Sequence, residues 1–345
     1  MSFLQLPVER SPGFISECYH NIRLSIVQSE GDWFPWFYSH FDTLLYHFDG
    51  ENFPIIQFED HLNIYRSILR ETPLDEQHHS VDRLIQCLHA GSYILVFLNW
   101  RYVEEFNRFG VQEDAVHETL IYGCDKENKC FLALAFETNG HRYGPFTISF
   151  AKLTEELTRL LNHAKNETRW LHHYGYPISS IVPDRQFLSA FALDTRKLFF
   201  SLNRRRIPVD SETSKTAPLS YGHHIFLGFA NYFNTVNDIS KHDHETWNIM
   251  IHKIMLCNKM TLNRVAYMEG TRTGSDPSLS RLILKLAESE RALLLAIRSL
   301  SLKYQSKPEK GLLKEVSERF MKIYELEKKS LPLLLQFFLS NGKEK

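Results

Sequence analysis

The hydrophobic pattern of this chain changes character near residue 185, and this change restricts the fold more than any other feature. Before it, short apolar runs alternate with helical periods, which is typical of a mixed α/β domain. After it, long helical periods follow one another, over 191–203, 221–233, 244–267, 278–304 and 312–338. The pattern therefore predicts the α+β class, with a mixed domain over 1–206 and an all-helical domain over 207–345.

The first domain is expected to contain a small antiparallel sheet. Tyr93 to Leu98 is a continuous apolar run, which favours a strand buried on both faces. A strand from His117 to Gly123, a turn at Asp125 to Asn128 and a strand from Phe131 to Phe136 together predict a hairpin. Further strands are expected at 146–149 and 178–182. Three helices are expected: one that begins after Ser16, one at 81–89 and one at 153–163.

Composition excludes several classes of protein. The chain has 345 residues and a net charge of -1, so it lacks the positive charge that nucleic acid or an anionic membrane attracts. No apolar run approaches the roughly 18 residues of a membrane helix, and the first residues lack the pattern of a signal peptide. The 5 cysteines form no C-x-x-C pair, which argues against a disulfide framework and a thiolate zinc site. The cytoplasm is the expected compartment.

Two residues suggest a reaction by their order in the chain. Cys18 stands at the start of a predicted helix, and His117 opens a predicted strand about a hundred residues later. A helix N-terminus and an imidazolium both favour the thiolate form of cysteine. A histidine can then act as base and acid, usually oriented by a third group. In the alternative interpretation, Cys18 is a small buried residue and His117 is a polar strand residue with its hydrogen bonds satisfied.

The segments 91–102 and 117–125 resemble the N-terminal domain of the butirosin biosynthesis protein H family. In that family, a strand is followed by a histidine that opens a His-x-x-x-x-x-Gly-Tyr-Asp strand and turn. The similarity continues through Cys130 to Ala135 and through Thr147 to Leu153, and Cys18 falls where the family has its early cysteine. The C-terminal helical half also resembles the family in its pattern of apolar and polar residues.

The resemblance implies a papain-like fold and a function in the biosynthesis of secondary metabolites. It predicts an acyltransferase or thioesterase in which Cys18 is the nucleophile and His117 the general base and acid. The implied acyl donor is a thioester on the phosphopantetheinyl arm of an acyl or peptidyl carrier protein. A small-molecule amine is the implied acceptor, and no bound cofactor or metal is expected.

The sequence departs from the family where the third catalytic residue is expected. Ala135 occupies the position of the usual aspartate, and Asn99 stands where the first strand often ends in aspartate. Glu137 is the tentative replacement as orienting residue, and Asn139 is a weaker one. These departures keep a second hypothesis open, a catalytically degraded member that binds or scaffolds an assembly-line enzyme. A cysteine peptidase or amidase is a third, weaker alternative.

Aromatic residues cluster directly after the predicted Cys18 helix, from Trp33 to Tyr38. They either fill a core or form the wall of a substrate groove beside the thiol. Trp33, Trp36 and Tyr102 are therefore the candidates for binding substrate.

Three further patterns have a structural explanation and a functional one. The histidines at 242, 244 and 252 lack a complete set of metal ligands, so no metal site is predicted. Arg204 to Arg206 complement a helix C-terminus, or meet an acidic carrier protein or its phosphate. The apolar stretch 331–339 seals the helical domain or pairs with a second copy of the chain.

Overall fold

A computed structural model describes residues 2–14, 18–59, 62–74, 80–103, 116–136, 143–163, 178–204, 219–271 and 277–341. These fall into two compact units, of which the first comprises residues 1–33 and 62–191 and the second comprises residues 34–61 and 192–345. The domain boundary expected at residue 206 was based on the sequence pattern alone and remains a prediction. The compact units differ from it because residues 34–61 and 192–206 belong with the second unit.

The described strands, in chain order, are β1 Phe3–Gln5, β2 Leu44–His47, β3 Ile55–Phe58, β4 Leu69–Pro73, β5 Tyr93–Asn99, β6 Val116–Asp125, β7 Cys130–Phe136, β8 Tyr143–Ser149, β9 Ile178–Pro183 and β10 Leu219–Tyr221. The described helices are α1 Cys18–Val27, α2 Phe34–Tyr38, α3 Val81–His89, α4 Phe150–His163, α5 Arg185–Ala190, α6 Thr195–Arg204, α7 His224–Thr235, α8 Lys241–Thr271, α9 Pro277–Ser306 and α10 Lys310–Asn341. Short 3-10 turns cover Leu62–Ser67 and Trp100–Tyr102.

The first unit is built on a 7-stranded sheet with the order β4-β9-β5-β6-β7-β8, in which β1 also pairs with β6. All of its strand pairs are antiparallel. Every residue of β5 is buried, which confirms the prediction of a strand covered on both faces. The strands expected at 117–123, 131–136, 146–149 and 178–182 are all present. The antiparallel sheet of the mixed N-terminal region is therefore confirmed.

Helices cover both faces of this sheet. On one face, Ile94, Val96 and Leu98 of β5 share a core with Leu84 and Leu88 of α3. The same core includes Leu153 and Leu157 of α4. The opposite face carries α1, because the Arg23 side chain of this helix hydrogen-bonds Glu118 of β6 and Glu71 of β4. Alternation along β5 and β6 thus places Leu98 with the α3 core and Glu118 with α1. Near the end of α4, Leu160 also packs with Phe97 and Val116.

The second unit is mainly helical, and it also contains a 3-stranded sheet with the order β10-β2-β3. The expectation of an all-helical region after residue 206 is therefore wrong at β10. A strand of 3 residues is too short to show a period of two in the sequence. In the helical core, Leu198 and Leu202 of α6 pack with Leu331 and Leu335 of α10, so the apolar stretch 331–339 is largely buried within the chain.

Gly123 of β6 lies close to the backbone of β1. A Cβ atom at this position would collide with the Leu4 carbonyl oxygen and lie 3.0 Å from the Leu132 side chain. We expect Gly123→Ala to lower the free energy of unfolding by about 1–3 kcal/mol, since backbone atoms must shift. Gly144→Ala in the same sheet is the control, because a Cβ there meets no atom within 4 Å. Equal urea midpoints for the two variants would contradict this account.

Candidate active site

Cys18 is the first described residue of α1, so it lies in the helix that the sequence predicted to carry the thiol. Its backbone is described, whereas Ser16, the expected cap, lies outside the described residues. A cysteine in the first helical turn is close to free backbone N–H groups that favour a thiolate. Among the other cysteines, Cys124 and Cys257 are buried, and burial raises the pKa of Cys124 and of Cys130. Position therefore still favours Cys18 as the reactive thiol.

His117 lies at the start of β6, where it is paired with Leu98 of β5. Its ring stacks on the indole of Trp100, with ring centroids 4.4 Å apart and an angle of 23° between the planes. Burial lowers the pKa of His117 to about 4. The imidazole is therefore neutral near pH 7 and has the protonation state that a general base requires.

The neighbouring residue shows which way His117 points. Glu118 faces α1, because its Oε1 atom accepts a hydrogen bond from Nη1 of Arg23 at 3.1 Å. Successive side chains of a strand point to opposite faces of the sheet. His117 therefore belongs to the face that carries Leu98 and the α3 core, and not to the face on which Arg23 of α1 meets Glu118.

The expected position of the orienting aspartate lies on the same face as His117. Ala133 of β7 is paired with Ile121 of β6, and alternation along both strands then places Ala135 on the face of His117. Ala135 is fully buried, and its methyl group cannot fix the imidazole tautomer. Glu137 and Asn139 lie outside the described residues. Asn99 caps the 3-10 turn that follows β5, where its side-chain oxygen accepts a hydrogen bond from the Arg101 backbone at 3.2 Å.

The main polar feature beside α1 is a buried ion network that sequence reasoning missed. Arg23 donates to Glu118 at 3.1 Å, to Glu71 at 3.0 Å and to the Tyr19 carbonyl at 3.1 Å. Burial alone would lower the pKa of Arg23, but the two carboxylates raise it above its ordinary value. Burial raises the pKa of Glu118, and Arg23 opposes this effect. The sequence signal for this network was the charge of Arg23 within an apolar helix and the charge of Glu118 within an apolar strand.

The three candidates for binding substrate have different environments. Trp36 of the second unit has no exposed surface, so it is a core residue and cannot line an open groove. In the first unit, Trp33 and Tyr102 are partly exposed. The guanidinium carbon of Arg159 lies 3.8 Å from the centroid of the Tyr102 ring, which is cation–π geometry.

The remaining charged patterns have structural roles where they are described. His244 is buried, and its Nε2 atom lies 2.9 Å from the Ser301 carbonyl oxygen. Arg204 pairs with Glu59 through two hydrogen bonds of 2.6 and 2.8 Å, whereas Arg205 and Arg206 lie outside the described residues. Within the described ranges, no three His, Cys, Asp or Glu residues are grouped so as to hold a metal ion.

Comparison with known proteins adds no family assignment: no protein-family model matches this chain, and no curated protein matches it. In the part of the chain that the structure describes, no helix combines the length and apolarity needed to cross a bilayer.

Proposed function

We propose that this chain is a binding protein for acyl or peptidyl carrier proteins of secondary-metabolite assembly lines, built on a papain-like first unit. The fold proposal is supported by the resemblance to the butirosin biosynthesis protein H family and by three features. These are a helix that carries Cys18, an antiparallel sheet, and a β6–β7 hairpin with His117 near its start. In this proposal the chain derives from a thiol acyltransferase and has kept its architecture.

The observation that carries the proposal is the alternation along β6. Because Glu118 contacts α1 through Arg23, His117 points to the other face of the sheet. Ala135 replaces the expected aspartate on the His117 face, so no carboxylate at that position orients the ring. The orientation of His117 and the presence of Ala135 instead of aspartate each weaken the case for catalysis. Neither disturbs the buried sheet.

A second candidate is an active acyltransferase or thioesterase, and two observations favour it. Cys18 lies in the first described turn of α1, and the lowered pKa of His117 keeps its ring neutral near pH 7, the form that can accept a proton. In this reaction the Cys18 sulfur would attack the thioester carbonyl, and the carrier thiol would leave with a proton. An amine or water would then attack the acyl-enzyme and release Cys18. Hydrolysis of peptides or amides is the weaker form of this candidate.

One experiment separates binding from catalysis. The protein is mixed with a carrier protein that bears an acyl-phosphopantetheine thioester, and both are followed by intact mass and by a binding titration. We expect equal carrier binding by the wild type and Cys18→Ala, with no acyl adduct on either. The unacylated carrier is the control for binding that does not depend on the acyl group.

Alkylation of Cys18 by iodoacetamide tests the same proposal at the thiol. We expect its rate to rise with pH around the ordinary cysteine pKa of about 8.5, because His117 points away from the sheet face that Arg23 of α1 contacts. Peptide mass spectrometry assigns the modified residue, with Cys18→Ala as the reference. Rapid alkylation below pH 7, or an acyl adduct that Cys18→Ala abolishes, would favour the acyltransferase. Absence of carrier binding would refute both candidates.

A further inference from the structure

An apolar groove with a volume of about 870 Å³ lies between α6 and α10 of the second unit. From α6, its lining includes Arg196, Phe199, Phe200 and Asn203, which are spaced by three and four positions. Residues with this spacing share one face of a helix. The groove therefore follows a single face of α6, with Arg196 in the first helical turn and the two phenylalanines in the next.

The α10 wall has the same spacing, since it includes Pro332, Leu335, Gln336 and Leu339. Leu335 also packs in the helical core, whereas Leu339 is 54% exposed and Phe200 of α6 is 64% exposed. Each wall covers roughly two helical turns, or about 10 Å, which accommodates an extended hydrocarbon chain of medium length. The volume also lies within the range of about 300–1,000 Å³ that is typical of small-molecule sites.

Arg196 is the only charged residue among the described residues that line the groove. It is exposed, and in the part of the chain that the structure describes no ion pair or hydrogen bond engages its guanidinium. The nearest carboxylate in the sequence, Asp194, caps α6 by accepting the Lys197 backbone N–H at 2.8 Å. The groove thus combines an apolar bed with one cation in the first turn of α6.

We propose that this groove binds a medium-chain carboxylate, whose hydrocarbon chain lies along the two helix faces and whose carboxylate meets Arg196. A guanidinium donates two parallel hydrogen bonds to a carboxylate, which fixes that end of the ligand. Burial of the chain against Phe200 and Leu339 removes apolar surface from water. This inference is independent of the proposed function, because the groove belongs to the second unit and includes neither Cys18 nor His117.

A second copy of the chain fits the groove less well than an anionic ligand does. In a two-fold dimer, each copy presents the same surface to the other. An interface on this groove would therefore contain Arg196 of both copies, and none of the described lining residues is an acid that could pair with them.

Isothermal titration calorimetry with three probes tests the carboxylate end: octanoate, octylammonium and acetate. Octanoate and octylammonium share a chain and differ in charge, so we expect the wild type to bind octanoate more tightly. For Arg196→Gln we expect octanoate affinity to fall by at least about threefold, as a charge-assisted contact is lost. Arg291→Gln is the matched control, since Arg291 is an exposed arginine of α9 outside the groove. Its octanoate affinity should equal that of the wild type.

A second variant, which combines Phe200→Ser with Leu339→Ser, tests the apolar bed. We expect its octanoate affinity to fall by at least about tenfold, because the chain loses its two most exposed apolar contacts. Leu302→Ser is the control, since Leu302 is 56% exposed on α9 and lies outside the groove. Circular dichroism checks that each variant is folded.

The outcomes assign or reject the site. Equal octanoate affinity in the wild type and in either groove variant would overturn the proposal. So would octylammonium or acetate binding as tight as octanoate binding, or no octanoate binding at about 10 mM, a concentration that detects Kd values up to that level. Sedimentation velocity tests the other occupant. A wild-type dimer that the double serine variant abolishes would assign the groove to a second copy of the chain and overturn the proposal.

Discussion

Replacing Arg23 by methionine is expected to lower the free energy of unfolding by about 3–5 kcal/mol. Arg23 is 3% exposed and Glu118 is 2% exposed, so removal of the guanidinium leaves a buried carboxylate without its cation. An uncompensated buried charge is among the most destabilising changes in a protein interior. Urea unfolding followed by circular dichroism measures the effect.

The double variant Arg23→Met, Glu118→Leu separates the charge from the packing. When Arg23 and Glu118 both become apolar, the fully buried carboxylate is gone and only Glu71, which is 22% exposed, loses its cation. We therefore expect more than half of the lost stability to return. Lys307→Met is the control for an exposed pair, because Lys307 is 81% exposed and its partner Glu309 is 50% exposed. It should change stability by about 1 kcal/mol or less. If the double variant were as unstable as the sum of its single changes, the ion pair would not be the cause.

Replacing His117 by phenylalanine is expected to remove a large part of the acid sensitivity of the first unit. The pKa of His117 is lowered by burial from 6.5 to about 4, so the unfolded chain binds this proton before the folded chain does. The stabilisation is complete above pH 6.5 and is lost as the pH falls through the window down to about 4. Over that window the wild type should lose about 3 kcal/mol more than His117→Phe.

Urea titrations at several pH values between 7 and 4 measure this difference. Phenylalanine keeps an aromatic ring that can stack on Trp100, so the comparison isolates the proton. His89→Gln is the control, because His89 is exposed at the end of α3. It should follow the wild type across the pH range. Parallel curves for the wild type and His117→Phe would show that His117 is protonated equally in both states.

The secondary structure of the first unit could be predicted where the signal is local. The apolar run from Tyr93 to Leu98 and the turn at Asp125 to Asn128 define β5 and the β6–β7 hairpin, and the structure contains both. Strands β1 and β4 of this unit were missed, because they are only 3 and 5 residues long. Such short segments depend on their partners in the sheet more than on their own pattern.

The candidate site was predictable in its parts but not in its arrangement. The order of Cys18 and His117 pointed to the beginning of α1 and the beginning of β6, and both residues lie there. Trp36 showed no sequence signal that would separate a groove residue from a core residue, and it is fully buried. Aromatic side chains suit both environments, so only the packing decides.

By itself, the sequence determined the antiparallel hairpin, the long C-terminal helices and the helix that carries Cys18, because each follows from a local pattern of apolar and polar residues. Only the tertiary structure decided which face of the sheet His117 occupies. That face is defined by the bond between Arg23 and Glu118, which are 95 residues apart in the chain. A pairing over such a distance depends on burial and charge in the folded state, and no local pattern records it.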